Sequence, residues 1–144
     1  THNLIGPIGA YLAWFTFVPL GLAAYLLPWI IAAFGVGYLM NFLGYLRERL
    51  GWCLLWTAML FVSITGVLHL TNNVAVIADL TKNLYTSFAG GWLGYLTYGR
   101  LNRYDYGFVL LGNLGATIVY VALGLISLLF LTNFQLGHWI RALL

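Results

Sequence analysis

The sequence predicts an all-α integral membrane protein, with three transmembrane helices and glycine-rich half-helices that re-enter the membrane or lie at its interface. Of its 144 residues, 62% are hydrophobic and 6% are charged, whereas a soluble domain typically carries about 25% charged residues. The mean hydropathy is +0.93, and three stretches hold the roughly 20 apolar residues that a helical span needs. Lipid is therefore the expected solvent for most of the surface.

The region before Arg47 is apolar throughout but too long for one membrane helix. It contains no Asp, Glu, Lys or Arg, and Pro19 and Pro28 would each remove a backbone hydrogen bond from a helix interior. We therefore predict a half-helix at residues 7–18, followed by a span at about residues 19–43 that is kinked near Pro28.

Two further spans are predicted at residues 51–70 and 106–131, where long apolar runs carry no charged side chain in their interior. Residues 84–99 are shorter and rich in glycine and hydroxyl side chains. Their length favours a re-entrant or interfacial helix over a full fourth span, and irregular backbone at membrane depth needs protein to cover it. The whole chain, residues 1–144, is predicted to form a single membrane domain.

The arginines set the expected orientation. Arg47 and Arg49 lie in the short loop between the first two spans, and short loops rich in arginine are normally cytoplasmic. The N-terminus is then outside and the C-terminus cytoplasmic. A fourth span at residues 84–99 would move Arg100 and Arg103 to the cytoplasmic side, so the charge distribution mildly favours four spans while segment length favours three.

The residues that usually carry catalysis or ligand binding are sparse. Cys53 is the single cysteine, so the chain can form no internal disulfide, and Lys82 is the single lysine and follows no glycine-rich phosphate loop. No two carboxylates are placed as an acid–base pair. His69 is the one candidate ligand, but packing is favoured, because two helices would have to direct histidines at one metal. We therefore predict no enzyme activity, no catalytic residue, no cofactor and no metal.

Two glycine motifs are similar to those of a known family. The first is an N-L-x-G-x-x-G-A stretch that leads into G-x-x-A-Y-x-x-P, and the second is a GG-x-x-G element before the last span. In these motifs the chain resembles the membrane region of bacterial DNA translocases of the FtsK/SpoIIIE family. The matching positions are Asn3, Leu4, Gly6, Gly9, Ala10, Gly21, Ala24, Tyr25, Pro28, Gly90, Gly91 and Gly94.

The resemblance implies the membrane anchor of a DNA-translocating machine. The family's membrane domain has four spans, of which the first would precede Thr1, and its cytoplasmic ATPase motor would follow Leu144. In that family the anchor lies at the division septum and contacts other division proteins. Neither ATP use nor DNA binding carries over to these residues.

Two functions are consistent with this sequence. The leading hypothesis is a non-enzymatic anchor and assembly domain in the bacterial inner membrane, acting in cell division and chromosome segregation. The alternative is a small accessory or structural subunit of a larger respiratory or photosynthetic membrane complex. Both imply lipid and other integral membrane proteins as partners, with a second copy of the chain as a further candidate, and no nucleic acid, because the basic residues are dispersed. Close helix packing is predicted at Gly66, Gly112, Gly115 and Gly124.

Overall fold

Helices account for most of the chain that the computed structural model describes, which comprises residues 6–39, 50–71, 75–82, 88–101 and 104–132. In chain order the helices are α1 (Gly6–Leu20), α2 (Leu27–Leu39), α3 (Leu50–Leu70), α4 (Ala75–Lys82), α5 (Gly91–Tyr98) and α6 (Gly112–Leu131). One 3-10 segment, Gly21–Leu26, joins α1 to α2, and another, Gly107–Leu111, leads into α6. Two short strands, β1 (Arg100–Leu101) and β2 (Tyr104–Asp105), lie between α5 and the second 3-10 segment.

Within the described residues, three stretches are long and apolar enough to cross a membrane. They are Gly6–Val36, Leu50–Leu70 and Gly107–Leu131. Helix α5 has eight residues, which gives a length of about 12 Å, far short of the roughly 30 Å of a bilayer's hydrocarbon core. The predicted fold class, an all-α membrane protein with three transmembrane helices and a glycine-rich half-helix, is confirmed.

The break in the first apolar region lies between the predicted end of the half-helix at residue 18 and the predicted kink near Pro28. Helix α1 continues through Pro19 and ends at Leu20, and the irregular backbone is the 3-10 segment that begins at Gly21. Gly21 has a φ of +59°, the left-handed conformation that commonly terminates a helix at glycine. Pro28 is the second residue of α2, in the first turn, where a helix tolerates proline.

Helices α3 and α6 form an antiparallel pair with a core of small and hydroxyl-bearing residues. The buried side chains of these two helices include those of Ser63, Thr65, Ala116, Tyr120 and Ser127. The large aliphatic side chains of α6 instead point outward, as Leu114 does with 84% of its surface exposed. This distribution suits a lipid environment, where close backbone packing rather than apolar burial drives helix association.

The two ends of the α3–α6 pair are each fixed by contacts of their own. At one end Trp56 stacks on Phe130, with ring centroids 4.2 Å apart and planes 6° from parallel. At the other end the β1–β2 hairpin, which pairs Arg100 with Asp105, reverses the chain after α5. The Tyr106 N–H donates to the Gly99 carbonyl at 2.8 Å. The reversal brings α5 and the start of α6 side by side.

Candidate functional site

The half-helix α5 begins at a very close contact with the break in the first span. A Cβ atom built on Gly91 would lie 2.5 Å from both the Gly21 nitrogen and the Pro19 carbonyl oxygen, and one built on Gly21 would lie 2.4 Å from the Gly91 nitrogen. The Leu22 N–H also donates to the Ala89 carbonyl at 2.9 Å. Backbone therefore meets backbone here, and neither glycine has room for a side chain.

The opposite side of α5 packs on α3 through two more glycines. A Cβ on Gly90 would lie 2.0 Å from the Thr65 carbonyl oxygen, and one on Gly94 would lie 2.5 Å from the same oxygen. Both would also approach the Cβ of His69, at 3.0 Å. The three glycines of the G-G-x-x-G element thus let α5 fit between the first span and α3, with its backbone close to both.

Hydroxyl groups fasten the end of α5 to α6. The Tyr120 hydroxyl donates to Thr97 Oγ1 at 3.0 Å, and Thr97 in turn donates to the Leu93 carbonyl at 2.9 Å. The Tyr98 hydroxyl donates to Asn113 Oδ1 at 2.5 Å. These hydrogen bonds join the last turn of α5 to α6, so they hold the half-helix at a fixed position along α6.

The same tyrosine connects α6 to α3. The Ser63 hydroxyl donates to the Tyr120 carbonyl at 2.6 Å. A Cβ on Gly66 would lie 2.2 Å from the Tyr120 ring, and one on Gly124 would lie 2.6 Å from Ser63 Oγ. Tyr120, which is fully buried, therefore touches α3 with its ring and its backbone and reaches α5 with its hydroxyl.

His69 lies among aromatic rings next to this contact. Its ring centroid is 5.6 Å from that of Phe88, 6.1 Å from that of Tyr95 and 5.3 Å from that of Tyr98. Its Nδ1 atom is buried and has no hydrogen-bond partner. Within the described part of the chain no group of three metal-ligating side chains surrounds it, and its contacts are those of a packing residue.

A comparison with protein families identifies the chain. The family described as the 4TM region of DNA translocase FtsK/SpoIIIE matches residues 1–144, the whole sequence. The chain belongs to this family. No curated protein matches it. No solved structure matches it either. The predicted relationship to the membrane region of FtsK-type translocases is confirmed.

The motif positions of the FtsK/SpoIIIE membrane region fall into two groups in the structure. Gly21, Gly90, Gly91 and Gly94 come together around α5, as described above. Tyr25 is 58% exposed, and its ring meets that of Phe17 edge to face at 5.0 Å. Gly6 and Gly9 are on α1, Pro28 is exposed at the start of α2, and Asn3 is outside the described residues.

The four glycines predicted for close helix packing also fall into two pairs with different surroundings. Gly66 and Gly124 lie at the α3–α6 contact. A Cβ on Gly112 would meet nothing within 4 Å, and one on Gly115 would meet the Leu111 side chain of the preceding 3-10 segment. Gly112 and Gly115 therefore make no close contact with another of the described helices.

The hydroxyl and amide contacts of this FtsK-type membrane region are not among the predicted sites. Glycine spacing alone marks the stretch that contains Asn113, and no sequence motif includes Tyr98, Thr97 or Tyr120. A signal for them exists, because a hydroxyl or amide group within an apolar span needs a hydrogen-bond partner. The sequence does not indicate which partner each group takes.

Proposed function

We propose that this membrane region is a non-enzymatic anchor and assembly domain of an FtsK-type DNA translocase. The observation that carries the proposal is the family match over residues 1–144, because the matched region is the membrane-spanning part of the translocase and not its ATPase motor. Its work would then be to hold the motor at the membrane and to present a fixed surface to neighbouring membrane proteins.

The contacts of α5 support a structural role. Backbone contacts at Gly21 and Gly91 and the hydrogen bond from Tyr120 to Thr97 tie α5 to the first span and to α6. A half-helix held in this way cannot slide along the spans without separating backbone atoms that now touch. We infer that α5 makes the three spans one rigid unit, which is what a passive anchor needs when a motor pulls on it.

We further propose that the domain lies in the bacterial inner membrane, with the N-terminus outside and the C-terminus in the cytoplasm. The arginines at positions 47 and 49 support this orientation through their preference for the cytoplasmic side. The partners would be other integral membrane proteins at the division site, lipid, and further copies of the chain. We propose no contact with nucleic acid in this segment.

The experiment compares two variants of a translocase that carries this region. Gly91→Leu should break the contact between α5 and the first span, whereas Gly6→Leu introduces the same side chain at another helix-opening glycine whose Cβ would meet nothing within 4 Å. We expect Gly91→Leu to reduce recruitment of the labelled translocase to the division site, while the DNA-stimulated ATPase rate per motor is unchanged in both variants. An ATPase rate that falls while membrane assembly and recruitment stay normal would contradict the proposal.

Reporter fusions test the proposed orientation separately. A cytoplasmic fluorescent reporter joined after Leu144 should be active, and a reporter that matures only outside the cytoplasm should be active when joined before Thr1. The reverse pattern would overturn the orientation and leave the anchor role to be judged by recruitment alone.

A further inference from the structure

Aromatic rings from α5 and from the turn before it cover one side of His69. The ring centroid of His69 is 5.6 Å from that of Phe88, 6.1 Å from that of Tyr95 and 5.3 Å from that of Tyr98. A Cβ on Gly94 would lie 3.0 Å from the Cβ of His69, so the α5 backbone is close as well. All of these contacts come from residues 88–98, and they are lost together when this segment moves away from α3.

The Nδ1 atom of His69 is buried and has no hydrogen-bond partner among the described residues. A neutral imidazole tolerates this position, because it can carry its one hydrogen on Nε2 and leave Nδ1 as an acceptor. An imidazolium carries hydrogens on both nitrogens, so Nδ1 would then be a charged donor that faces no acceptor. A buried charge without a partner costs far more free energy than a neutral polar group, so protonation opposes the docking of α5.

Two features of the site attract an imidazolium, but neither holds α5 in place. Aromatic ring faces attract a cation, yet this attraction is smaller than the hydration that a buried charge gives up. His69 is also in the last turn of α3, where the negative end of the helix dipole favours a cation. That end of α3 is present whether α5 is docked or apart, so it stabilises the imidazolium in both states alike.

The titratable side chains of α5 and α6 near His69 are tyrosines. Tyr95 and Tyr98 face it from α5, and the hydroxyl of Tyr120, on α6, donates to α5; a tyrosine hydroxyl is uncharged at neutral and acid pH. Among the described residues, no carboxylate forms an ion pair with the imidazole, because Asp79 pairs with Lys82. The neighbours therefore supply no negative charge to balance a protonated His69.

We propose that His69 makes the docking of α5 on α3 sensitive to pH. His69 is one residue from the end of the span Leu50–Leu70, so water at the membrane surface can hydrate the imidazolium once α5 moves away. The undocked state therefore binds the proton more tightly, and it gains population as the pH falls through the range of about 8 to 5 in which histidine changes charge. Neutral His69 packs under α5 at the upper end of that range. The inference rests on the contacts of α5 and does not depend on the anchor function.

Distance measurement by double electron–electron resonance tests the proposal. Nitroxide labels are attached to Trp92→Cys on α5 and Leu54→Cys on α3, two positions that are 60% and 59% exposed, in a chain whose Cys53 is replaced by serine. The protein is placed in phosphatidylethanolamine and phosphatidylglycerol nanodiscs, in which both membrane faces meet the same buffer. We expect one narrow distance distribution at about pH 7.5, and at about pH 5 a second, broader one whose share is several-fold larger. Identical distributions at the two pH values would overturn the proposal.

Variants of the three histidines give a matched comparison. His69→Phe keeps a ring at this position but cannot be protonated, so its distance distribution should be the same at both pH values. His2→Phe and His138→Phe leave His69 in place and should keep the wild-type response. A response that survives in His69→Phe, or that is lost in either of the other two variants, would contradict the assignment to His69. If His69→Phe does not fold, His69→Gln replaces it as the variant that cannot gain a proton.

Discussion

Alanine at position 91 tests the contact between α5 and the first span by adding a single methyl group. Gly91 has a φ of +61°, and its Cβ would lie 2.5 Å from the Gly21 nitrogen and 2.7 Å from the Pro19 carbonyl carbon. Both neighbours are backbone atoms, so no side chain can rotate away to make room. The helix must therefore move, or the contact must open.

The size of the effect follows from two separate costs. A left-handed backbone costs a residue other than glycine roughly 1–2 kcal/mol, and overpacking a close contact typically costs about 1–3 kcal/mol. We expect Gly91→Ala to lower the free energy of unfolding by about 2–5 kcal/mol, the sum of these two effects. Gly6→Ala is the matched control, because Gly6 also opens a helix with a φ of +69° but its Cβ would meet none of the described residues within 4 Å. Gly6→Ala should lower the free energy of unfolding only by the cost of the left-handed backbone, about 1–2 kcal/mol.

Unfolding of both variants is measured in mild detergent micelles titrated with sodium dodecyl sulfate. The reporter is the reactivity of Cys53, the single cysteine, which is 3% exposed in the folded chain and should react with a maleimide only after the helices separate. Equal losses in Gly91→Ala and Gly6→Ala would refute the close contact, since the two variants differ in the atoms that surround the added methyl group.

Three further predictions use the same titration, and a fourth uses the oligomer size in detergent. Tyr120→Phe removes the hydroxyl that donates to Thr97 and should cost about 0.5–1.5 kcal/mol; no loss would mean that this bond does not hold α5. Gly124→Leu places a side chain against Ser63 of α3 and should lower the free energy of unfolding by about 1–3 kcal/mol or more. Gly115→Leu should leave the α3–α6 pair closed but weaken association between copies of the chain. An unchanged oligomer size in detergent would count against a role for Gly115. Lys82→Ala breaks an ion pair with Asp79 whose side chains are 74% and 72% exposed, and it should change stability by less than about 1 kcal/mol.

Composition and segment length were enough to predict the spans. A charge content of 6% leaves no way to cover a core with polar side chains, and the hydropathy of each long segment then indicates a membrane helix. The shortness and glycine content of residues 84–99 likewise predicted a half-helix. Length, hydropathy and glycine content are properties of one segment alone, so they can be determined from a single sequence.

The break in the first region and the choice among glycines depend on neighbours that the sequence does not specify. Prolines alone indicate a break between Pro19 and Pro28, but they do not show that it begins at Gly21, which lies against Gly91. Gly66 and Gly115 look equivalent in an apolar run, yet Gly66 faces Tyr120 of α6 and Gly115 meets only its own preceding turn. Packing sets the direction that a helix face takes, and one sequence does not contain it.

Oxidative cross-linking in the native membrane shows whether α5 lies against the break in the first span of the same chain. With Cys53 replaced by serine, cysteines are introduced at Leu22 and Ala89, whose backbones share a hydrogen bond of 2.9 Å. We expect a rapid intramolecular disulfide for this pair and none for Leu22→Cys combined with Leu114→Cys, since Leu114 points outward from α6. No disulfide at positions 22 and 89, or one that forms only between separate chains, would contradict it.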